Sequence, residues 1–402
     1  MDKKTAYTNL ILCSVIHGIN HYLVIFYKPL YPAISEFFSL QNVADLTTRL
    51  TLIYASYGIS NFLSGLLAKK FSLKKILFLG TLLMSLASMS VIFISKTDYL
   101  FFIILIFLMG LGGGVYHPIA NTLITSSFEG KPGQVIGILS IGSSTGFILA
   151  PFIGEYFGTM LGFKKLFFLS GSLSLIVSLI FLIYAKDNSQ INKTTTENNN
   201  SHKKKTLSFG RILILAIIYM CIPLTIRETI GWSYYEITPF WVKYGFSYGI
   251  TIGIIQTMQY LPGILVQPLT GMLCDVFKPI RMTVFTLLLT GAGILLFAVS
   301  HPLVLWFALI MFGAGMSAST VASETYMASL VTSKDRPLVY GIVLSTALGL
   351  GGLTAGFSGK VVDFFGKEMI TGYRFWFLLV GSLMIISISV YFFIEKLRKK
   401  AG

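Results

Sequence analysis

Two short stretches, GLLAKKFSLKK at residues 65–75 and GMLCDVFKPIR at residues 271–281, decide how this chain is built. Each closes a long apolar run. Each reads G-x-L-x-x-x-F and then turns basic. A pattern that returns once in each half of a chain of apolar segments points to an internal duplication, the plan on which many membrane transporters are built.

Working outward from the two stretches, apolar runs recur from residue 8 to residue 394 with short polar breaks. The chain has 402 residues, 54% hydrophobic and only 12% charged, where a soluble domain carries about 25% charged residues. Runs of about 18 or more apolar residues read as transmembrane helices. The spans are expected at 8–36, 46–68, 73–95, 99–126, 134–157 and 165–185, then at 209–236, 246–272, 280–300, 303–330, 337–363 and 374–394. The fold class is therefore all-α and polytopic, with twelve spans in two six-helix halves. The first run follows a short polar start without a small-residue cleavage pattern, so it is expected to remain as a span.

The stretch between the halves, KDNSQINKTTTENNNSHKKKTLS, is polar and low in complexity and cannot bury a core. The expected domains are thus 1–186, a cytoplasmic linker at 187–207, and 208–402. The net charge of +15 invites a nucleic-acid reading. Position argues against one. With the N-terminus inside, 21 of the 31 Lys and Arg fall in inside loops and tails. That is the positive-inside bias, and it makes both termini cytoplasmic in an inner (plasma) membrane. The surplus charge then meets anionic lipid. Asn192 and Asn199 fit the glycosylation pattern but lie on the inside. Cys13, Cys221 and Cys274 show no pairing or metal spacing and read as small apolar fillers.

The fifth span carries GSSTGFILAPFIG, with Gly142, Gly146 and Gly154 spaced by multiples of four and Pro151 among them. The eleventh carries GLGGLTAGFSG at 349–359. Such spacing puts small residues on one helix face and lets helices approach closely.

On these residues the chain resembles the major facilitator superfamily. The loops after spans two and eight resemble that family's G-x-x-x-D-R-x-G-R-K signature. Gly65 and Lys69 stand in the first copy, where Lys69 replaces the Asp; Gly271 and Asp275 stand in the second, where Val276 replaces an Arg. The resemblance implies a gating role for these four positions, with the Asp latching the halves in the outward-open state; Lys69 departs from it. Its basic neighbours fit topology at least as well. Gly146-x-x-x-Ala-Pro-x-x-Gly resembles the exporter motif of the family, with Ala150 and Glu155 in place of glycines. Within the superfamily the chain is similar to the fosmidomycin-resistance-like efflux group, through His17-x-x-Asn20, Gly110-x-Gly112 with His117-Pro118, and Gln267-Pro268. His21 stands where that group has an acid. The family's usual monomer is the implied assembly.

An ionisable side chain at mid-bilayer costs about 2.5–3.5 kcal/mol on insertion scales, so each one needs a reason. In the family's fold spans 1, 4, 7 and 10 line the central cavity, and these spans hold His17, His21, His117, Arg227, Glu228 and Glu324. His17 and His21 share a helix face at i, i+4, with Asn20 beside them. Glu324, His21 and His17 are the candidate proton carriers, because burial raises a carboxyl toward neutral pH and imidazole titrates there already. Arg227, Asn20, His117, Glu228, Trp232 and Tyr235 are the candidate substrate contacts. Arginine fits carboxylate and phosphate by its fork, and the aromatics offer stacking faces.

Arg227 and Glu228 are adjacent, hence about 100° apart on the helix, and need not pair; a bridge from Arg227 to Glu324 is the alternative. Lys28, Arg49 and Lys243 near the outer ends form a positive vestibule or snorkel to headgroups. Trp241 is expected as an interfacial anchor. Gln256, Gln259 and Gln267 are further polar candidates.

The expected activity is proton-coupled export of a small organic, anionic solute by alternating access, as an antiporter. Uptake of an organic anion or metal chelate is the alternative. Transition-metal transport through His17, His21 and a carboxylate is weaker, because no cysteine or third local ligand completes a site. No cofactor is called for. No nucleotide loop or nucleophile constellation is visible, which argues against an enzyme; the glycines at 110–114 lie mid-membrane, where helix packing explains them.

Overall fold

The computed structural model describes residues 2–40, 49–128, 131–187, 220–237, 252–299, 301–331, 335–365 and 370–392. Among them every regular element is a helix. Among the described residues nine helices are long and apolar enough to cross a membrane, and Leu52–Leu67 is apolar but shorter. A helix at 220–237 and the pair Ile252–Tyr260 and Gly263–Val276 stand where the seventh and eighth spans were expected. Residues 188–207 of the expected linker, together with Trp241 and Lys243, lie outside the described residues.

The first and sixth spans show hydropathy and burial running in opposite directions. The sixth span, Phe163–Tyr184, has mean hydropathy 2.5 but only 39% of its window is buried. The first, running Lys3–Leu30, has 1.6 with 67% buried. A helix that faces lipid must be apolar around most of its surface. One at the centre of a bundle can carry polar groups, provided other helices satisfy them. The first span starts at Asp2, whose carboxylate accepts from the Thr5 amide at 2.9 Å and the Thr5 hydroxyl at 2.8 Å. These bonds hold its carboxyl below the usual range.

Two spans are interrupted. The fourth breaks at Val115 between Tyr99–Gly114 and Tyr116–Thr125, just before His117-Pro118. Proline lacks the amide donor its preceding turn needs. At this break the Gly113 carbonyl, next to the Gly114 carbonyl that Pro118 leaves without a donor, accepts from Asn20 Nδ2 at 2.7 Å. The eleventh span passes through a π-helical turn at Ser345–Leu350, between Arg336–Leu344 and Gly351–Ala355. Such turns gather at functional sites.

The halves meet along two seams. The fifth span, Pro132–Leu161, packs on the first span within its half and on Gly263–Val276 across the divide. The second, Leu52–Leu67, packs on the eleventh. At the lysine-rich end of the bundle, near Lys69 and Lys131, both seams come down to backbone. A Cβ on Gly133 would stand 2.5 Å from the Gly271 carbonyl oxygen, and one on Gly65 would stand 2.5 Å from that of Pro337. Gly142, Gly146 and Gly154 share the face turned to the first span, each against a carbonyl of Ser14, Gly18 or Phe26. Pro151 lies inside the fifth-span helix, which runs on through it.

Candidate functional site

Between the halves lies a cavity of about 60 Å³, walled by His21, His117, Ser143 and Phe147 from the first half and by Arg227, Glu228, Trp232, Tyr260, Gln267, Thr320 and Glu324 from the second. That volume has room for a few waters. An organic solute must widen it.

The wall has a cationic side and a histidine side. Arg227 comes from the helix at 220–237. Its Nε donates to Ser319 Oγ at 2.7 Å and its Nη2 to the Met316 carbonyl at 2.8 Å, with Thr320 Oγ1 also in reach. Its Nη1 pairs with Glu228. These adjacent residues, which need not pair, do pair. The long guanidinium arm bridges the 100° between them while the tenth span, Pro302–Leu330, holds its other donors. The alternative bridge from Arg227 to Glu324 is not formed.

Glu324 instead faces the other half. Its Oε1 lies 3.2 Å from His117 Nδ1, a contact at ion-pair distance without the alignment of a directed hydrogen bond. Both side chains are buried. This is the contact that joins the tenth span to the fourth across the cavity.

His117 also gathers the first-span histidines. The ring centroids of His17, His21 and His117 are 4.9, 5.1 and 5.5 Å apart. His17 stacks on Tyr116 at 4.4 Å, and His21 on Phe147 at 4.3 Å. His17 Nδ1 lies 3.1 Å from the Leu139 carbonyl, which fixes its proton there and leaves Nε2 without a partner among the described residues.

Two expected substrate contacts stand elsewhere. Asn20 is consumed by structure: its amide holds the Gly113 carbonyl, and its oxygen accepts from Tyr57 OH at 3.0 Å. It ties spans one, two and four together behind the cavity wall. A polar group in a bundle interior finds a backbone break more readily than water. Tyr235 belongs to a closure at the end of the bundle away from the lysines. His17 likewise lies behind the wall that His21 and His117 form.

That far closure was not read from the sequence. Lys28 is buried rather than lining an open vestibule, and its Nζ lies 2.9 Å from Glu236 Oε1 across the halves. Tyr54 OH also accepts from it. The ammonium sits 5.1 Å from the Tyr54 ring, 5.4 Å from Trp232 and 5.5 Å from Tyr235. Between this plug and the cavity, Phe147 stacks on Tyr260 at 4.1 Å with rings 4° from parallel. Glu236 was available as a signal, a lone acid among aromatics at the end of an apolar run. Arg49, by contrast, lies exposed, over the Tyr99 ring.

At the lysine-rich end Asp275 caps the fifth span. Its two oxygens accept from the Gly133 amide at 2.9 Å and the Gln134 amide at 2.7 Å. A carboxylate there satisfies orphan donors and complements the helix dipole. The pseudo-equivalent Lys69 is exposed after the second span. The start of the eleventh is held by Arg336, which donates to Thr125 Oγ1 at 3.1 Å. Of the glutamines, Gln267 lines the cavity and accepts from Ser144 at 3.0 Å. Gln256 and Gln259 are buried outside the wall.

The model of the Major Facilitator Superfamily matches residues 10–250 and 206–402 of this chain. A protein described as a TsgA homolog in Buchnera aphidicola is 27% identical over 323 residues, covering 77% of this chain and 78% of that one. A multi-drug resistance efflux pump of Streptococcus pneumoniae, PmrA, is 29% identical over 127 residues, 31% of each chain. A bacterial homolog of the human lysosomal transporter Spinster, solved in an inward-facing, unoccupied conformation, superposes with TM-score 0.69 at 15% identity, covering 98% of this chain and 97% of that one. At that identity the likeness concerns the fold alone.

Proposed function

This chain belongs to the major facilitator superfamily, and from that premise we propose that it exports a small organic, anionic solute across the inner membrane in exchange for protons. It is a multi-pass membrane transporter and not an enzyme; direction, coupling and solute are the proposal. The observation that carries it is the cavity between the halves, with Arg227 on its wall and a closure at each end. A site at a repeat interface whose two ends close separately is what alternating access requires.

In this reading the lysine-rich end faces the cytoplasm, with both termini, and the chain works as a monomer. Solute enters there when Asp275 releases Gly133. Its anionic group competes with Glu228 for the guanidinium of Arg227, and Trp232 offers it an aromatic face. Glu324 and His21 carry the proton, because they stand on opposite walls of the same small space. The fifth-span motif and the efflux pump among the relatives support the outward direction.

The test is reconstitution in liposomes loaded with a pH-sensitive dye, with a panel of organic anions offered. Solute movement should drive opposite proton movement. Glu324→Gln should abolish the proton signal while solute-for-solute exchange persists. Solute transport without proton flux, unchanged in Glu324→Gln and His21→Ala, would overturn the coupling. A gene-deletion strain that grows more sensitive to anionic drugs supports export; one that only loses growth on the solute speaks for uptake.

A further inference from the structure

We propose that His17, His21 and His117 form a binding site for one divalent transition-metal ion of the zinc, cobalt or nickel kind. The proposal goes beyond the transport reading, which requires no metal. Sequence alone offered two of these ligands on one helix face and no third nearby. The fold supplies the third. The fourth span packs on the first on both sides of its break, and one ring nitrogen of each histidine lies within 4.8 Å of the others.

Three features argue for a site rather than a chance cluster. The first is the unfilled valence. His17 Nε2, His21 Nδ1 and His117 Nε2 are buried and have no hydrogen-bond partner among the described residues. Each such atom carries a desolvation penalty of about 1–3 kcal/mol, and all three belong to one cluster of rings. The second is the outer arrangement. A metal-bound imidazole characteristically gives its other ring N–H to a carbonyl or carboxylate. His17 Nδ1 faces the Leu139 carbonyl at 3.1 Å, and His117 Nδ1 faces Glu324 at 3.2 Å. The first contact leaves His17 Nε2 with its lone pair free; the second stands at ion-pair distance, and an ion on His117 Nε2 would turn it into a directed hydrogen bond. The third is access. His21 and His117 belong to the cavity wall, so an ion reaches the cluster from the cavity, and a fourth position stays open to water or solute.

Imidazole nitrogen selects borderline divalent cations over magnesium or calcium, which prefer oxygen. Three imidazole ligands with one open position match the pattern of three histidines and a water found at zinc sites. Stacking on Tyr116 and Phe147 fixes the rings of His17 and His21 before the ion arrives. Glu324 is a positioning residue here, acting through His117.

The experiment is a cobalt titration of the full chain, purified in detergent with an affinity tag free of histidine. Four-coordinate cobalt gives intense visible bands. The expected result is one equivalent bound, with bands that zinc displaces and magnesium does not. Each of His17→Gln, His21→Gln and His117→Gln should lose the bands and weaken binding at least tenfold. Glu324→Gln should weaken it about 10–100-fold while keeping three histidines. His301→Gln, a histidine outside the cluster, should bind as wild type. A folded, monodisperse wild-type protein without these bands overturns the proposal. So does a His17→Gln/His21→Gln double variant that keeps them. Solute transport measured on the same preparation, without added metal, tells failure of this site from failure of the transport reading.

Discussion

At the far end of the cavity Lys28 and Glu236 meet inside a ring of aromatic side chains, buried on both sides. At the lysine-rich end the halves touch through Gly133 and Gly271, with Asp275 reaching over from solvent. The first closure is chemical: it holds while two opposite charges have each other. The second is geometric: it holds because two backbones can lie side by side where no side chain intervenes. A charge pair in low dielectric gives a sharp choice between formed and broken. A glycine contact gives a surface on which the halves can settle and part with little desolvation of charge.

Three changes would break or sharpen that contrast. The largest effect is expected from Glu236→Gln, which leaves Lys28 buried without its counter-charge. Removing one partner of a buried pair costs about 3–5 kcal/mol, so the far end should stand open in most molecules. Spin labels on the far ends of the two halves should report the longer distance. Replacing both partners, Lys28→Met with Glu236→Leu, should restore the short distance, because a packed apolar pair replaces a broken ionic one. If the double variant stays open, the closure depends on more than the charge pair.

A middle-sized effect is expected from Gly271→Ala. Its methyl would stand 2.3 Å from the Gly133 carbonyl oxygen, and overpacking of this kind costs about 1–3 kcal/mol. Cys274, buried on the same seam, serves as a native reporter. Its maleimide labelling should rise several-fold, and the distance at the far end should not lengthen.

The smallest effect is expected from Asp275→Asn, which keeps an acceptor at the start of the fifth span but removes the charge. A charge at a helix terminus is worth about 0.3–1 kcal/mol near a surface. Cys274 labelling should rise by less than in Gly271→Ala, and salt should erase most of the difference between variant and wild type. The converse change, Lys69→Asp, should tighten the second seam by a similar amount and slow Cys274 labelling. A larger effect from Asp275→Asn than from Gly271→Ala would reverse the reading of this end.

Much of the site was legible because charge inside an apolar run is conspicuous. His21, His117, Arg227, Glu228 and Glu324 were singled out by that cost and by the resemblance, which puts their spans around a central cavity, and they line one cavity. What went astray were partnerships. Arg227 was expected on substrate, with a bridge to Glu324 as the alternative, and here holds Glu228 and the tenth span. Asn20 was expected on cargo and instead mends a helix break. Lys28 was expected at an open mouth and instead plugs it. Each depends on which helix lies opposite, and helical periodicity says nothing of that.

The sequence by itself determined that this chain is a bundle of membrane helices in two related halves. Apolar length and glycine spacing act within one segment and need no knowledge of neighbours. Only the tertiary structure decided which polar groups meet. The third histidine joins the first two across 96 residues of chain, His117 against His21, because the fold lays the fourth span beside the first. In a medium without water to satisfy them, buried polar groups take their meaning from the partner the fold supplies.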